Sequence, residues 1–249
     1  MITDSFDVKT PPIPKFSSFY GEQKHLVDTC VITFSKEIYD RVLATFDCKK
    51  IAVITTCNGD VPIWKFTHDG METGFYLSMI GSAMAAQCCI ESNWLIGSTK
   101  YIMFGSAGNL DAEATAGKFI IPTHAYRDEG MSYHYAPPAD YIEIKNHTRL
   151  AEIFDGLGLP YMEGRVWTTG AFMRETVGLT ALRRSEGCVA VEMELAGVQA
   201  VCDFHGLELY DFLSAGDVLS ENEYRVEGLS QANHSMDKFY IALEIAKRI

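Results

Sequence analysis

Short apolar runs that suit strands alternate along this chain with longer runs that suit helices, and that rhythm limits the folds open to it. CVITF (30–34), KIAVITT (50–56), FYLSMI (75–80), YIMF (101–104) and GKFIIPT (117–123) are strand candidates. GRVWTT (164–169), GCVAVEM (187–193) and LELYDFLSAG (207–216) continue the series. Between them lie SKEIYDRVLATF (35–46), opened by Ser35 as a plausible N-cap, and SAMAAQCCIESNWL (82–95). TRLAEIFDGLG (148–158) closes on glycine, and SMDKFYIALEIAKRI (235–249) is amphipathic. Such alternation predicts right-handed βαβ crossovers and an α/β fold, with one central mixed or parallel sheet flanked by helices. No linker-like stretch or repeat divides residues 1–249, so one domain is expected. Residues 1–28, with Pro11, Pro12 and Pro14, read as an extended N-terminal arm, and 124–146 as a long functional loop.

Charge narrows the ligand. The 249 residues carry a formal net charge of −12, which repels nucleic-acid phosphates and anionic lipid heads. A small molecule is the expected partner, with neither nucleic acid nor membrane. No run of about 18 apolar residues is present, and the N-terminus lacks a basic region followed by an apolar one, so neither a membrane span nor a secretory signal is expected. Seven cysteines without a C-x-x-C spacing fit reduced core thiols in a cytoplasmic protein. The seven histidines show no metal-ligand spacing, so no metal is expected.

In α/β sheets ligands bind beyond the carboxyl ends of the strands, so the residues there are the candidate site. Ile80 and Gly81 follow one strand; Gly105, Ser106, Ala107 and Gly108 follow another. These glycines permit close backbone approach or simply tight turns, and Ser106 adds a hydroxyl. The spacing fits neither the triphosphate loop nor the dinucleotide fingerprint. Phe172 and Arg174 follow WTTGA: an aromatic able to stack on a flat ring, or a core aromatic beside a surface ion pair. Glu192 and Glu194 flank Met193 in an otherwise apolar run. Burying two carboxylates requires partners, either the N–H groups of the helix that starts there or the paired hydroxyls of a ligand. Asp217 follows the last strand, as a proton donor or acceptor or as a turn aspartate.

SMIGSAMAA, GSAGNL, WTTGAFMRET and VAVEMELAGVQAV…SAGD, in this order between residues 75 and 217, resemble the nucleoside phosphorylase/nucleosidase superfamily. Its members include purine and uridine phosphorylases and methylthioadenosine/adenosylhomocysteine nucleosidases. The resemblance implies an α/β fold, a dimer or hexamer, and cleavage of a nucleoside's N-glycosidic bond. By position it implies that Glu194 holds the 2′ and 3′ hydroxyls, with Met193 and Glu192 beside the sugar. Phe172 would stack on the base, Gly105 and Ser106 would hold phosphate or water, and Asp217 would protonate a purine. The chain departs from the phosphorylase pattern at Met103, where an arginine is usual, and at Gly170, where an aspartate is frequent. Phosphorolysis to free base and ribose-1-phosphate, with inorganic phosphate as co-substrate and no other cofactor, is the first expectation. Cations for that phosphate would come from Arg41, Arg127, Arg174 or a neighbouring subunit. A water-using nucleosidase and a non-catalytic nucleoside-binding protein are the alternatives.

Overall fold

A computed structural model describes residues 1–220 and 223–249. The first half holds α1 (Phe16–Tyr20), β1 (Thr29–Thr33), α2 (Lys36–Thr45), β2 (Lys49–Ile54), β3 (Val61–His68), β4 (Met71–Leu77), α3 (Ser82–Ile96), β5 (Lys100–Asn109), α4 (Ala112–Thr115) and β6 (Phe119–Asp128). The second half holds β7 (Tyr141–Glu143), α5 (His147–Leu157), β8 (Tyr161–Thr169), α6 (Val177–Ser185), β9 (Cys188–Glu192), α7 (Leu195–His205), β10 (Glu208–Leu219), β11 (Tyr224–Arg225), α8 (Leu229–His234) and α9 (Asp237–Ala246). Among the described residues no helix is long and apolar enough to cross a membrane.

The strands form one mixed sheet in the order β11-β10-β6-β8-β9-β5-β1-β4-β3-β2, with β7 added to β6. An extra pairing of β10 with β5 closes β5, β10, β6, β8 and β9 into a ring. One apolar cluster, including Ala85, Cys89, Leu195 and Val198, packs α3 and α7 on one face of the sheet. A second, including Val42, Phe154 and Phe239, packs α2, α5 and α9 on the other. This is the expected α/β architecture, and the sheet is mixed.

Local chemistry sets the element ends. The Ser35 hydroxyl accepts the Ile38 N–H to start α2, and Gly158 ends α5 in the left-handed region at φ 66°. Asp69-Gly70, at φ 49° and 78°, joins β3 to β4 as a two-residue hairpin loop.

Four expectations change. The arm is not uniformly extended: α1 interrupts it, and it lies on its own domain. There the Phe16 ring sits 5.7 Å from Trp94, and Leu26 N–H donates to Ile96 O at 2.7 Å. The strand expected to end at Gly105 runs to Asn109, because β10 and then β9 continue its ladder. The supposed 124–146 loop is shorter than expected: β6 carries 124–128 of it against β8, β7 pairs on the other side of β6, and the stretch between them holds the 3-10 turn Met131–His134. Asp217 lies within β10, not beyond it, at an irregularity where the pairing with β5 shifts between Ala215 and Val218.

Candidate active site

The strand register gathers the site. β1 and β10 flank β5 in parallel, while β9 runs antiparallel to its far end, pairing Gly108 with Val191. Glu192 therefore arrives beside the 105–108 stretch from one side and the Asp217 bulge from the other. Gly108 makes this approach possible: a Cβ there would meet Val191 Cγ1 at 2.8 Å and Leu219 Cδ1 at 2.7 Å. Between these strand ends lies a cavity of about 380 Å³, within the range of small-molecule sites.

Of the expected site residues, Ile80, Gly105, Ser106, Phe172, Glu192, Met193, Glu194 and Asp217 line this cavity. Ile80 and Phe172, 65% and 43% exposed, stand at its mouth. Gly81 is not part of the wall. Its N–H donates to Glu194 Oε1 at 2.6 Å, from a backbone at φ 98°. Arg174 is exposed and outside the wall, on the 3-10 turn Phe172–Arg174.

Glu192 takes the first of the partners open to the acidic pair, the N–H groups of the helix that starts there. Glu192 Oε2 accepts the N–H groups of Glu194 and Leu195 at 2.6 and 2.7 Å, and its other oxygen accepts the Thr168 hydroxyl. It caps the start of α7 while lining the cavity. Burial first, and then the Glu194 charge, pushes its carboxyl well above the ordinary range. Glu194 keeps an oxygen for a ligand beyond its bond to Gly81, and burial pushes its carboxyl up as well.

Among the wall residues that sequence reasoning missed, four bear most on the chemistry. Glu175, taken as a surface ion-pair partner, is half-buried, and burial followed by the Asp217 charge raises it to about 7. Tyr224 stands edge-on to Phe172 with ring centroids 6.4 Å apart. Burial, Asp217 and Glu175 push its phenol up to about 12. Asp211 is 1% exposed. Lys238, 2% exposed, donates to Gly105 O at 3.2 Å and to Ala232 O, and burial lowers it to about 8. An acid and an amine at inward positions of otherwise apolar elements were the available signals.

Five carboxyl side chains thus line the cavity: Glu175, Glu192, Glu194, Asp211 and Asp217. The arginines expected to balance a phosphate lie elsewhere. Arg41 is on α2, exposed and paired with Glu37 at 2.5 Å. Arg127 is buried, donating to Ser132 Oγ at 2.8 Å and Pro137 O at 2.6 Å, with its guanidinium 4.1 Å from the Tyr133 ring centroid. Among the described lining residues only Lys238 and His234 can carry positive charge. The Ser106 hydroxyl donates to Asn233 Oδ1, which ties β5 to α8 at the cavity wall.

Comparison with known proteins bears on the family and the fold. Purine nucleoside phosphorylase DeoD-type of Caldanaerobacter subterraneus subsp. tengcongensis is 26% identical over 185 residues, covering 70% of this chain and 79% of that protein. The protein of the same name from Jannaschia sp. is 28% identical over 187 residues, covering 71% and 78%. Among solved structures, futalosine hydrolase of Helicobacter pylori superposes with a TM-score of 0.71 at 17% identity, covering 90% of this chain and 99% of that one. The 5′-methylthioadenosine/S-adenosyl homocysteine nucleosidase of Campylobacter jejuni gives 0.69 at 17%, covering 89% and 98%. The family model described as the phosphorylase superfamily matches residues 28–243, and the chain belongs to that superfamily.

Proposed function

We propose that the protein is a nucleosidase: it cleaves the N-glycosidic bond of a nucleoside with water as the nucleophile. The observation that carries this reading is the lining of the cavity: five carboxyl side chains and, among the described lining residues, no arginine, with only Lys238 and His234 able to carry positive charge. A phosphate dianion requires charge-matched donors, and the Lys238 amine already points at two carbonyl oxygens. A neutral nucleoside and a water molecule need no such donors.

In this reading Glu194 accepts the vicinal hydroxyls of the pentose, Met193 forms an apolar floor, and Phe172 with Ile80 covers the base. Glu192 fixes the start of α7 and thereby the position of Glu194. As the C1′–N bond breaks, positive charge grows on the sugar beside Glu192 and Glu194, where carboxylates favour it. Negative charge grows on the base, and in this reading Asp217, which lines the same cavity, supplies a proton to it. The Asp217 assignment favours a purine.

Phosphorolysis is the second reading, favoured by the names of the two curated relatives. One assay separates them. The purified protein is incubated with adenosine, inosine, 5′-methylthioadenosine and uridine, with and without inorganic phosphate, and free base is measured. Release at equal rates in both conditions is expected; release that requires phosphate would establish phosphorolysis instead, and binding without release would leave a nucleoside-binding protein.

A further inference from the structure

Asp211 sits in β10 with Leu209 and Leu213 at alternate positions on the same side. Both leucines belong to the apolar cluster packed by α3 and α7. An aspartate breaks that apolar row. It is 1% exposed, and neither carboxyl oxygen has a hydrogen-bond partner among the described residues. Leaving a buried acid unsatisfied is costly, so the group calls for a ligand atom. It also lines the cavity. Its register partner on β5 is Met103, two residues before the Gly105–Ser106 stretch. The carboxylates of Glu192 and Glu194 are the charged groups that act on it.

The geometry points to Asp211 as a further catalytic residue, the carboxyl that holds the attacking water at the cavity floor and takes up its proton. The inference rests on the hydrolytic reading and deepens it. The water oxygen forms the new bond to C1′ as the C1′–N bond breaks. The electron pair of that bond leaves with the base, which takes a proton from Asp217. The surplus water proton passes to the Asp211 carboxylate, and the products are a free pentose and a neutral base. Burial and the two glutamates hold the Asp211 carboxyl well above the ordinary range, which makes its ionised form a stronger base than a surface aspartate.

The test uses the full chain with Asp211→Asn and, separately, Asp211→Leu. Rates are measured on adenosine, inosine and 5′-methylthioadenosine without phosphate, and Tm is measured alongside. Both variants are expected to lose roughly 10²–10⁴-fold in kcat. KM should stay within about threefold, and Tm should hold or rise, most clearly for Asp211→Leu, which removes an unpaired buried acid. A merely structural aspartate would give the opposite pattern. A kcat within about threefold of the parent overturns the assignment. So does a rise in KM at unchanged kcat, or a fall in Tm beyond about 5 °C in both variants. If the parent releases base only with phosphate, or not at all, the hydrolytic reading fails and this one with it. If the parent turns over without phosphate and the variants keep its rate, only Asp211 is wrongly placed.

Discussion

Each acid in the cavity has different neighbours, and the neighbours decide its task. Glu192 accepts three hydrogen bonds from the protein, two of them backbone N–H groups, so its carboxyl is held rigidly in the cavity wall. Glu194 accepts one, from Gly81, and keeps capacity for a ligand. Glu194→Gln should therefore raise KM, with a loss of about 1.5–3 kcal/mol in kcat/KM, the usual range for a hydrogen bond to a charged group. Steady-state kinetics check this, and an unchanged KM removes Glu194 from the sugar. Asp217→Asn should act on kcat, with roughly 10²–10⁴-fold loss and a nearly constant KM, because a proton donor to the leaving base works only in the transition state. A rise in KM at full kcat would instead make Asp217 a binding residue.

Two glycines control how the elements meet at the site. Gly197 lies in the first turn of α7, and a Cβ there would collide with Ser82 Oγ on α3. Gly197→Ala should turn the Ser82 hydroxyl out of its 2.8 Å hydrogen bond to Glu129, at a cost of about 0.5–1.5 kcal/mol. That corresponds to roughly 2–4 °C in Tm per kcal/mol for a chain of this size, readable by thermal melting. Gly81 holds φ 98° and ψ 140°, and a side chain there costs about 1–3 kcal/mol of strain while disturbing the N–H that anchors Glu194.

The same scale shows what was legible beforehand. α2 is readable from its Ser35 cap and apolar face, α3 from its run of small helix formers, and α5 from its closing glycine. β3 was not, because Pro62 and Lys65 interrupt its apolar pattern, although Asp69-Gly70 is a strong hairpin signal. β5 was cut short at Gly105, since glycines read as a turn when their ladder partners, β9 and β10, lie about a hundred residues away in sequence. The cavity acids of the Glu192-Met193-Glu194 run were legible because they break an apolar run. Asp211 breaks one too, inside LELYDFLSAG, but its lack of partners is visible only in three dimensions.

At the scale of the whole molecule, the net charge of −12 and the acid-lined cavity act in the same direction. Glu175 is raised from its ordinary 4.5 to about 7, and Glu192 and Glu194 are raised as well. Below about 4.5 these groups are protonated in both folded and unfolded chains, so they contribute no pH dependence there. As pH rises from 4.5 through 7 the unfolded chain ionises them more readily than the folded one, and stability falls. Melting between pH 5 and pH 8 should show Tm declining by several degrees, at roughly 2–4 °C per kcal/mol. Glu175→Gln should flatten part of that slope, and a Tm that rises over this window would contradict the buried acids.

The central claim is that water attacks C1′ in this cavity, and isotope labelling tests it most directly. The reaction is run in ¹⁸O-water with phosphate present, and the sugar product is examined by mass spectrometry under conditions that correct for slow exchange at the anomeric carbon. The account predicts free pentose carrying one ¹⁸O at C1′. Unlabelled ribose-1-phosphate as the product would contradict it.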